Sequence, residues 1–320
     1  MTADEPAPAA ATARRPWLGA LLLVLAVGFV AVAVVRNWAS VSADLGQLGW
    51  PDLLGSSIAA VAAMLLTGLA WRTVLAGLGS PLALRPAMTL YSAGQLGKYV
   101  PGSVWVLAIQ AELGRRRGVP RSVMALSYAV AILLAIATGG LVGLLSLVAD
   151  ADGRVRFTAL GVAVVAGLVA LAVLRPRAIN AVLRWASART GRSLPTLDLP
   201  GRTVAAAVAL TTAAWLLFGV HIWVLARPLG AGADLLAPAT GAFALAFVAG
   251  LLLVPVPAGA GIREVVLLGL LAGAIGSSEA LTVSLVSRLV LVLVDVVLAG
   301  AFGVRGAAAS VRAAKRTARP

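Results

Sequence analysis

Residues 91–105 read Tyr-Ser-Ala-Gly-Gln-Leu-Gly-Lys-Tyr-Val-Pro-Gly-Ser-Val-Trp, and how this stretch is threaded decides the fold. It places three glycines, a lysine and a proline inside a chain that is otherwise strongly apolar. The bilayer core admits interrupted helix and charge only where the backbone is buried in protein or lines a polar cavity. The stretch therefore reads as an unwound or re-entrant element, and an ordinary spanning helix has no use for it.

The surrounding composition supports that setting. Hydrophobic residues make up 61% of the 320 and charged residues 12%, and mean hydropathy is +0.99, so a water-soluble surface cannot be assembled. The chain reads as an all-α, polytopic membrane protein. Cysteine is absent, which excludes disulfide frameworks and thiolate metal sites. The formal charge of +14 sits on arginines between apolar runs, a placement that positive-inside topology explains and a nucleic-acid surface does not.

Apolar runs long enough to span, about 17 to 25 residues each, lie near 17–35, 54–78, 122–148, 157–174, 203–226 and 280–304. Two further stretches, 86–111 and 237–275, are interrupted by Pro, Gly and charge and read as helix-break-helix hairpins. Eight apolar segments thus divide into six full spans and two hairpins. Arg14 and Arg15, the group Arg115 to Arg121, the arginines of 175–202 and the basic tail from Arg305 fall on one side if each hairpin returns to the side it entered. The positive-inside rule then puts both termini in the cytoplasm of a cell membrane. Residues 1–16 are expected to be a disordered cytoplasmic segment, 17–304 one integral membrane domain and 305–320 a basic cytoplasmic tail against anionic lipid. The first apolar run is longer than a usual signal h-region and is expected to be retained.

With that threading the hairpins enter from opposite sides, the signature of an inverted repeat with a site near the midplane. Internal sequence similarity is limited to Val100-Pro101-Gly102 and Val256-Pro257-Ala258-Gly259. In the first hairpin Gly94, Gly97 and Gly102 permit close backbone approach, and Pro101 frees a carbonyl. Beside Gln95 and Lys98 this makes an anion site, with a snorkelling lysine on a kinked helix as the competing reading. In the second, Pro255 and Pro257 end one half-helix, and Gly259 and Gly261 allow another to start beside Arg263 and Glu264. A half-helix N-terminus next to an arginine suits an anion; the alternative is an external loop with surface charges.

Arg288 and Asp295 are two turns apart on one face of the last span and too distant for a tight pair. The pairings expected are Glu264 with Arg288 and Asp295 with Lys98, in a structural clamp or a substrate site. His221, the single histidine, is expected to be satisfied at a helix interface rather than to relay protons. Glu112 is placed to pair with Arg115 and Arg116, and Arg72 to snorkel. Gly139-Gly140-x-x-Gly143 and Gly269-x-x-x-Gly273 have small-residue packing spacing. The sequence offers no clustered acids or His–carboxylate group for metal or phosphoryl-transfer chemistry, and no P-loop, so no cofactor is expected.

Gly97-Lys98-Tyr99-Val100-Pro101-Gly102-Ser103-Val104-Trp105, followed by Glu112-Leu113-Gly114-Arg115 and Gly118-Val119-Pro120, resembles the first signature of the flippase-like transmembrane family. That family is also named for the transmembrane region of lysylphosphatidylglycerol synthase, the multiple peptide resistance factor. Pro257-Ala258-Gly259-Ala260-Gly261-Ile262-Arg263-Glu264 is similar to its second signature, and Arg288 with Asp295 fits its final helix. The resemblance covers about 50–304. It implies two re-entrant elements and the movement of charged phospholipids or isoprenoid-linked lipids between leaflets of a bacterial membrane. The residues expected to bind substrate are Gln95, Gly97, Lys98, Tyr99, Pro101, Gly102, Trp105, Pro257, Gly259, Gly261, Arg263, Glu264, Arg288 and Asp295. The large soluble aminoacyl-transferase domain of the full synthase has no counterpart in the sequence. The alternative expectation is a membrane-embedded transferase, or an accessory subunit serving a separate synthase or transferase in envelope lipid assembly.

Overall fold

The computed structural model describes residues 38–100, 105–150, 199–252 and 259–317, with the isolated positions Val35, Asn180 and Arg184. The elements are all helical among these residues: α1 Trp38–Gln47, α2 Trp50–Gly77, α3 Leu84–Leu96, a 3₁₀ turn Gly97–Tyr99, α4 Trp105–Arg115, α5 Arg121–Asp150, α6 Gly201–Ala226, two short 3₁₀ turns at Arg227–Leu229 and Ala233–Leu235, α7 Leu236–Leu252, α8 Ile262–Ile275 and α9 Ser277–Thr317. Helix is the form that satisfies every backbone N–H and C=O within one segment, which is why so apolar a chain adopts it.

Among the described residues five helical segments are long and apolar enough to cross a membrane: Trp50–Gly77, Arg121–Ser146, Gly201–Leu229, Ala233–Leu252 and Ser277–Gly303. Four coincide with expected spans near 54–78, 122–148, 203–226 and 280–304. The expected spans at 17–35 and 157–174 lie almost wholly outside the described residues, as does the expected disordered N-terminus. The fifth, Ala233–Leu252, is the leading arm of the expected second hairpin. Its 20 residues suffice to cross alone, so its length does not mark it as a half-helix.

The helices approach closely where a side chain is missing. A Cβ on Gly143 would lie 2.4 Å from Leu245 Cγ, joining α5 to α7, and one on Gly139 would lie 2.9 Å from the Trp215 ring. Small residues at crossings are the usual source of cohesion in lipid, where dispersion contacts replace the hydrophobic drive. The second small-residue pair departs from expectation. Gly269 and Gly273, like Gly140, meet nothing within 4 Å among the described residues, because spacing puts two glycines on one face of a helix without supplying a neighbour for that face.

The largest core gathers around Trp215, Phe218 and Phe243, between α2, α6, α7, α8 and α9. Its polar atoms are partnered: Trp215 Nε1 donates to Thr138 Oγ1 at 3.0 Å. His221 bridges three helices, with Nδ1 2.6 Å from Ser56 Oγ on α2 and Nε2 2.8 Å from Ser287 Oγ on α9. It is the satisfied interface histidine that the sequence suggested. Arg72 does not simply snorkel; its Nε donates to the Leu82 carbonyl at 2.8 Å, closing the turn between α2 and α3.

Candidate functional site: two turns meeting on the last helix

The described residues of each broken stretch form a helix on either side of the interruption. In the first, α3 and α4 pack together around Gly97–Tyr99. Gly97 is required there: a Cβ would sit 2.6 Å from the Val106 backbone nitrogen and 2.7 Å from the Trp105 carbonyl carbon. In the second, α7 and α8 pack together, and the turn enters α8 through Gly259 and Gly261, with φ of +64° and +82°. These are left-handed values that glycine adopts without a Cβ penalty. A Cβ on Gly259 would also lie 2.8 Å from the Gly250 Cα.

Helix α9 measures where the turns lie. The open end of the second pair joins α9 directly at Ser277, while Glu264 at its turn meets Arg288. In the first pair Thr89 on α3 donates to the Phe302 carbonyl at 3.3 Å, and the turn meets Asp295. The pairs therefore approach from opposite ends of α9. Their turns contact it seven residues apart, about 10 Å at 1.5 Å per residue.

Both expected pairings form. Lys98 Nζ lies 2.7 Å from Asp295 Oδ2, which also accepts from the Tyr99 hydroxyl at 2.5 Å. Lys98 adds a long contact to Gln95 Oε1, 3.4 Å. Arg288 Nη1 lies 3.3 Å from Glu264 Oε1, and the other Glu264 oxygen accepts the Gly261 N–H. Glu264 thus caps α8 and anchors it to α9. Asp295 and Glu264 are buried, so each ion pair sets a partly accessible cation, Lys98 or Arg288, against a carboxylate held in the helix packing.

Arg263 is arranged differently. Its guanidinium carbon stands 4.4 Å from the Phe247 ring centroid and 5.5 Å from that of Phe243, within cation–π range. Among the described residues no carboxylate forms an ion pair with it. The bare Gly250 gives its stem room, since a Cβ there would lie 2.6 Å from Arg263 Cγ.

Among the described residues three small adjoining hollows open beside the turns. One, about 20 Å³, is lined by Arg263, Glu264, Ser287 and Arg288. A second, also about 20 Å³, is lined by Lys98, Tyr99, Arg263, Arg288 and Phe247. The third, about 60 Å³, is more apolar and is lined by Gln95, Lys98 and Asp295 together with Met64, Trp215 and Phe218. Charged and aromatic side chains share the lining of all three, the mixture of apolar wall and few polar groups usual in ligand sites.

The model of the family described as lysylphosphatidylglycerol synthase TM region matches residues 17–299. The chain belongs to this family. It is accordingly a multi-pass membrane protein of a family tied to lipid metabolism. No curated protein matches the chain.

Of the residues expected at the site, the structure brings Gln95, Lys98, Tyr99, Arg263, Glu264, Arg288 and Asp295 to the hollows. Gly97, Gly259 and Gly261 shape the turns. Trp105 begins α4 with its backbone against Gly97 and its side chain 46% exposed, so its place is in the turn packing rather than the cavity lining. Pro101, Gly102 and Pro257 lie outside the described residues. The aromatic walls escaped the sequence reading, although Trp215 and Phe218, and Phe243 and Phe247, stand one helical turn apart. Gln110 escaped as well. It is fully buried with neither amide atom partnered among the described residues, its side chain filling the space over Gly94.

Glu112, at the end of α4, accepts from Arg115 at 2.9 Å and from Arg116 and Arg121 at 3.2 Å. These hydrogen bonds, that from Arg115 foremost, pull its carboxyl down to about 2. Arg115 is pushed up by the same contact.

Proposed function

We propose that this protein moves a phospholipid or a lipid-linked headgroup between the leaflets of a bacterial cytoplasmic membrane. The observation that supports it is the meeting of the two turns from opposite ends of α9 around hollows that carry five charged side chains. Charge at such depth is costly and is tolerated for substrate pathways or tight pairing. On the positive-inside orientation the hairpins are re-entrant from opposite faces, and both termini are cytoplasmic. The headgroup enters the polar compartment through Lys98, Tyr99, Arg263 and Arg288, while the chains stay beside Met64, Trp215 and Phe218. Helix α9 couples the two turns, so loosening one ion pair frees one hairpin while the other still holds.

The test is lipid flip in proteoliposomes, with acyl-chain-fluorescent lipids and a membrane-impermeant quencher. Wild type should expose inner-leaflet label far faster than empty vesicles, and Lys98→Ala and Arg263→Ala should slow it. Wild-type rates equal to protein-free vesicles for all lipids, with product formed from an aminoacyl or nucleotide-sugar donor, would favour a transferase instead. Unchanged rates in both variants would remove these residues from the site.

A further inference from the structure

We propose that the site between the turns selects a headgroup with one net negative charge, a monoanionic phosphodiester, and that Arg263 is the residue that reads it. This rests on the lipid-handling reading above and adds to it the charge class of the ligand.

The inference comes from counting what each charged group is already doing. Lys98, Arg263 and Arg288 are cations; Glu264 and Asp295 are the carboxylates that share their hollows. Asp295 receives Lys98 and the Tyr99 hydroxyl. Glu264 receives Arg288 and the Gly261 N–H. Two cations are thus balanced, and Arg263 is left with the faces of Phe247 and Phe243. Aromatic faces attract a guanidinium without neutralising it. Ring contact does not use up the N–H donors of the guanidinium, which can still serve an acceptor. A phosphodiester presents two oxygens in the fork spacing that a guanidinium matches.

The same count rejects the other headgroups. A cationic headgroup finds both carboxylates engaged and adds to an unbalanced positive charge. A zwitterion supplies the phosphate but brings an ammonium for which no carboxylate is open. A dianionic phosphomonoester overshoots by one charge. In a low-dielectric cavity an uncompensated charge weighs heavily, so the ligand that brings the described site to neutrality is the monoanion.

The experiment separates charge selection from transport by measuring both on the full-length protein. Binding is read from the rise in thermal unfolding midpoint on titrating phosphatidylglycerol, phosphatidylcholine, lysyl-phosphatidylglycerol or phosphatidic acid of identical chains. Flip is read in proteoliposomes with labelled versions of the same lipids. The expectation is binding of phosphatidylglycerol about tenfold tighter than of the other three. Arg263→Lys should keep that order and Arg263→Gln should erase it. Equal binding of phosphatidylglycerol and phosphatidylcholine by wild type, tighter binding of the cationic lipid or of phosphatidic acid, or an unchanged order in Arg263→Gln would each overturn the proposal. If Arg263→Gln does not fold, the wild-type order and Arg263→Lys still decide. Preferential binding without flip of any lipid would retain charge selection and discard translocation. Flip of all four lipids alike, with no order in binding, would do the reverse.

Discussion

Replacing Asp295 by Asn tests how the last helix holds the first turn. The carboxylate sits 2.7 Å from Lys98 Nζ and accepts the Tyr99 hydroxyl, and its side chain is 2% exposed against 23% for Lys98. At that distance the Coulomb attraction is about 6 kcal/mol at an effective dielectric near 20, but desolvating both ions takes back several kcal/mol. The intact pair therefore adds little net stability. Removing one partner is another matter, because it leaves the second charge buried and unpaired at a cost of about 3 to 5 kcal/mol. Lys98 is partly accessible and the asparagine oxygen can still accept from Tyr99, so Asp295→Asn should cost about 2 to 3 kcal/mol. Lys98→Met with Asp295→Asn removes both charges and should recover most of that loss. The assay is the thermal unfolding midpoint of purified protein in detergent, followed by tryptophan fluorescence, for wild type, both single variants and the double. A double variant as unstable as the sum of the singles would refute the reasoning, since an independent pair has no coupling to recover.

Other parts of the site make equally direct predictions. Gln110→Leu removes two buried, unpartnered polar atoms and should raise the unfolding midpoint, the gain being about 1 to 3 kcal/mol; a lower midpoint would mean that the amide has a partner in the working protein. Gly97→Ala forces a Cβ to 2.6 Å from the Val106 nitrogen and should destabilise by about 1 to 3 kcal/mol through separation of the α3 and α4 backbones, whereas Gly269→Ala, which meets nothing within 4 Å among the described residues, should be near neutral in the same assay. Glu112 has a folded-state pKa depressed from 4.5 to about 2, so its contribution is present above about 4.5 and is lost as pH falls towards about 2. Wild type should hold an advantage in unfolding midpoint over Glu112→Gln at pH 6 that shrinks on acidification through that window, and a gap independent of pH would contradict the assignment.

The two ion pairs were legible because the choices were so few. Charges in an apolar span must find partners, and the stretches 86–111, 237–275 and 280–304 hold only Lys98, Arg263, Glu264, Arg288 and Asp295. The turns were legible too, since Gly and Pro at 94–102 and 255–261 interrupt runs that would otherwise continue as helix. The surroundings of Arg263 were not. A period of 3.6 shows that Phe243 and Phe247 share a face, but not that this face receives an arginine from the next helix. Gly269 and Gly273 carried the same spacing as Gly139 and Gly143 and met a different fate, because spacing describes one helix and packing requires two. The length of Ala233–Leu252 exceeded what a half-helix needs, and nothing in its composition separates an arm of a hairpin from a span.

Membrane residence, helical class and the positions of the two interruptions follow from local facts, namely apolar length, charge content and the backbone chemistry of Gly and Pro. Those facts act within a few residues of chain, so the linear order carries them. The convergence of the turns is a different kind of fact. Tyr99 and Asp295 are 196 residues apart in sequence, and the charge balance that singles out Arg263 exists only once α3, α7, α8 and α9 have packed. Helical periodicity assigns each of these side chains to a face, and the packing of helix against helix decides which face meets which.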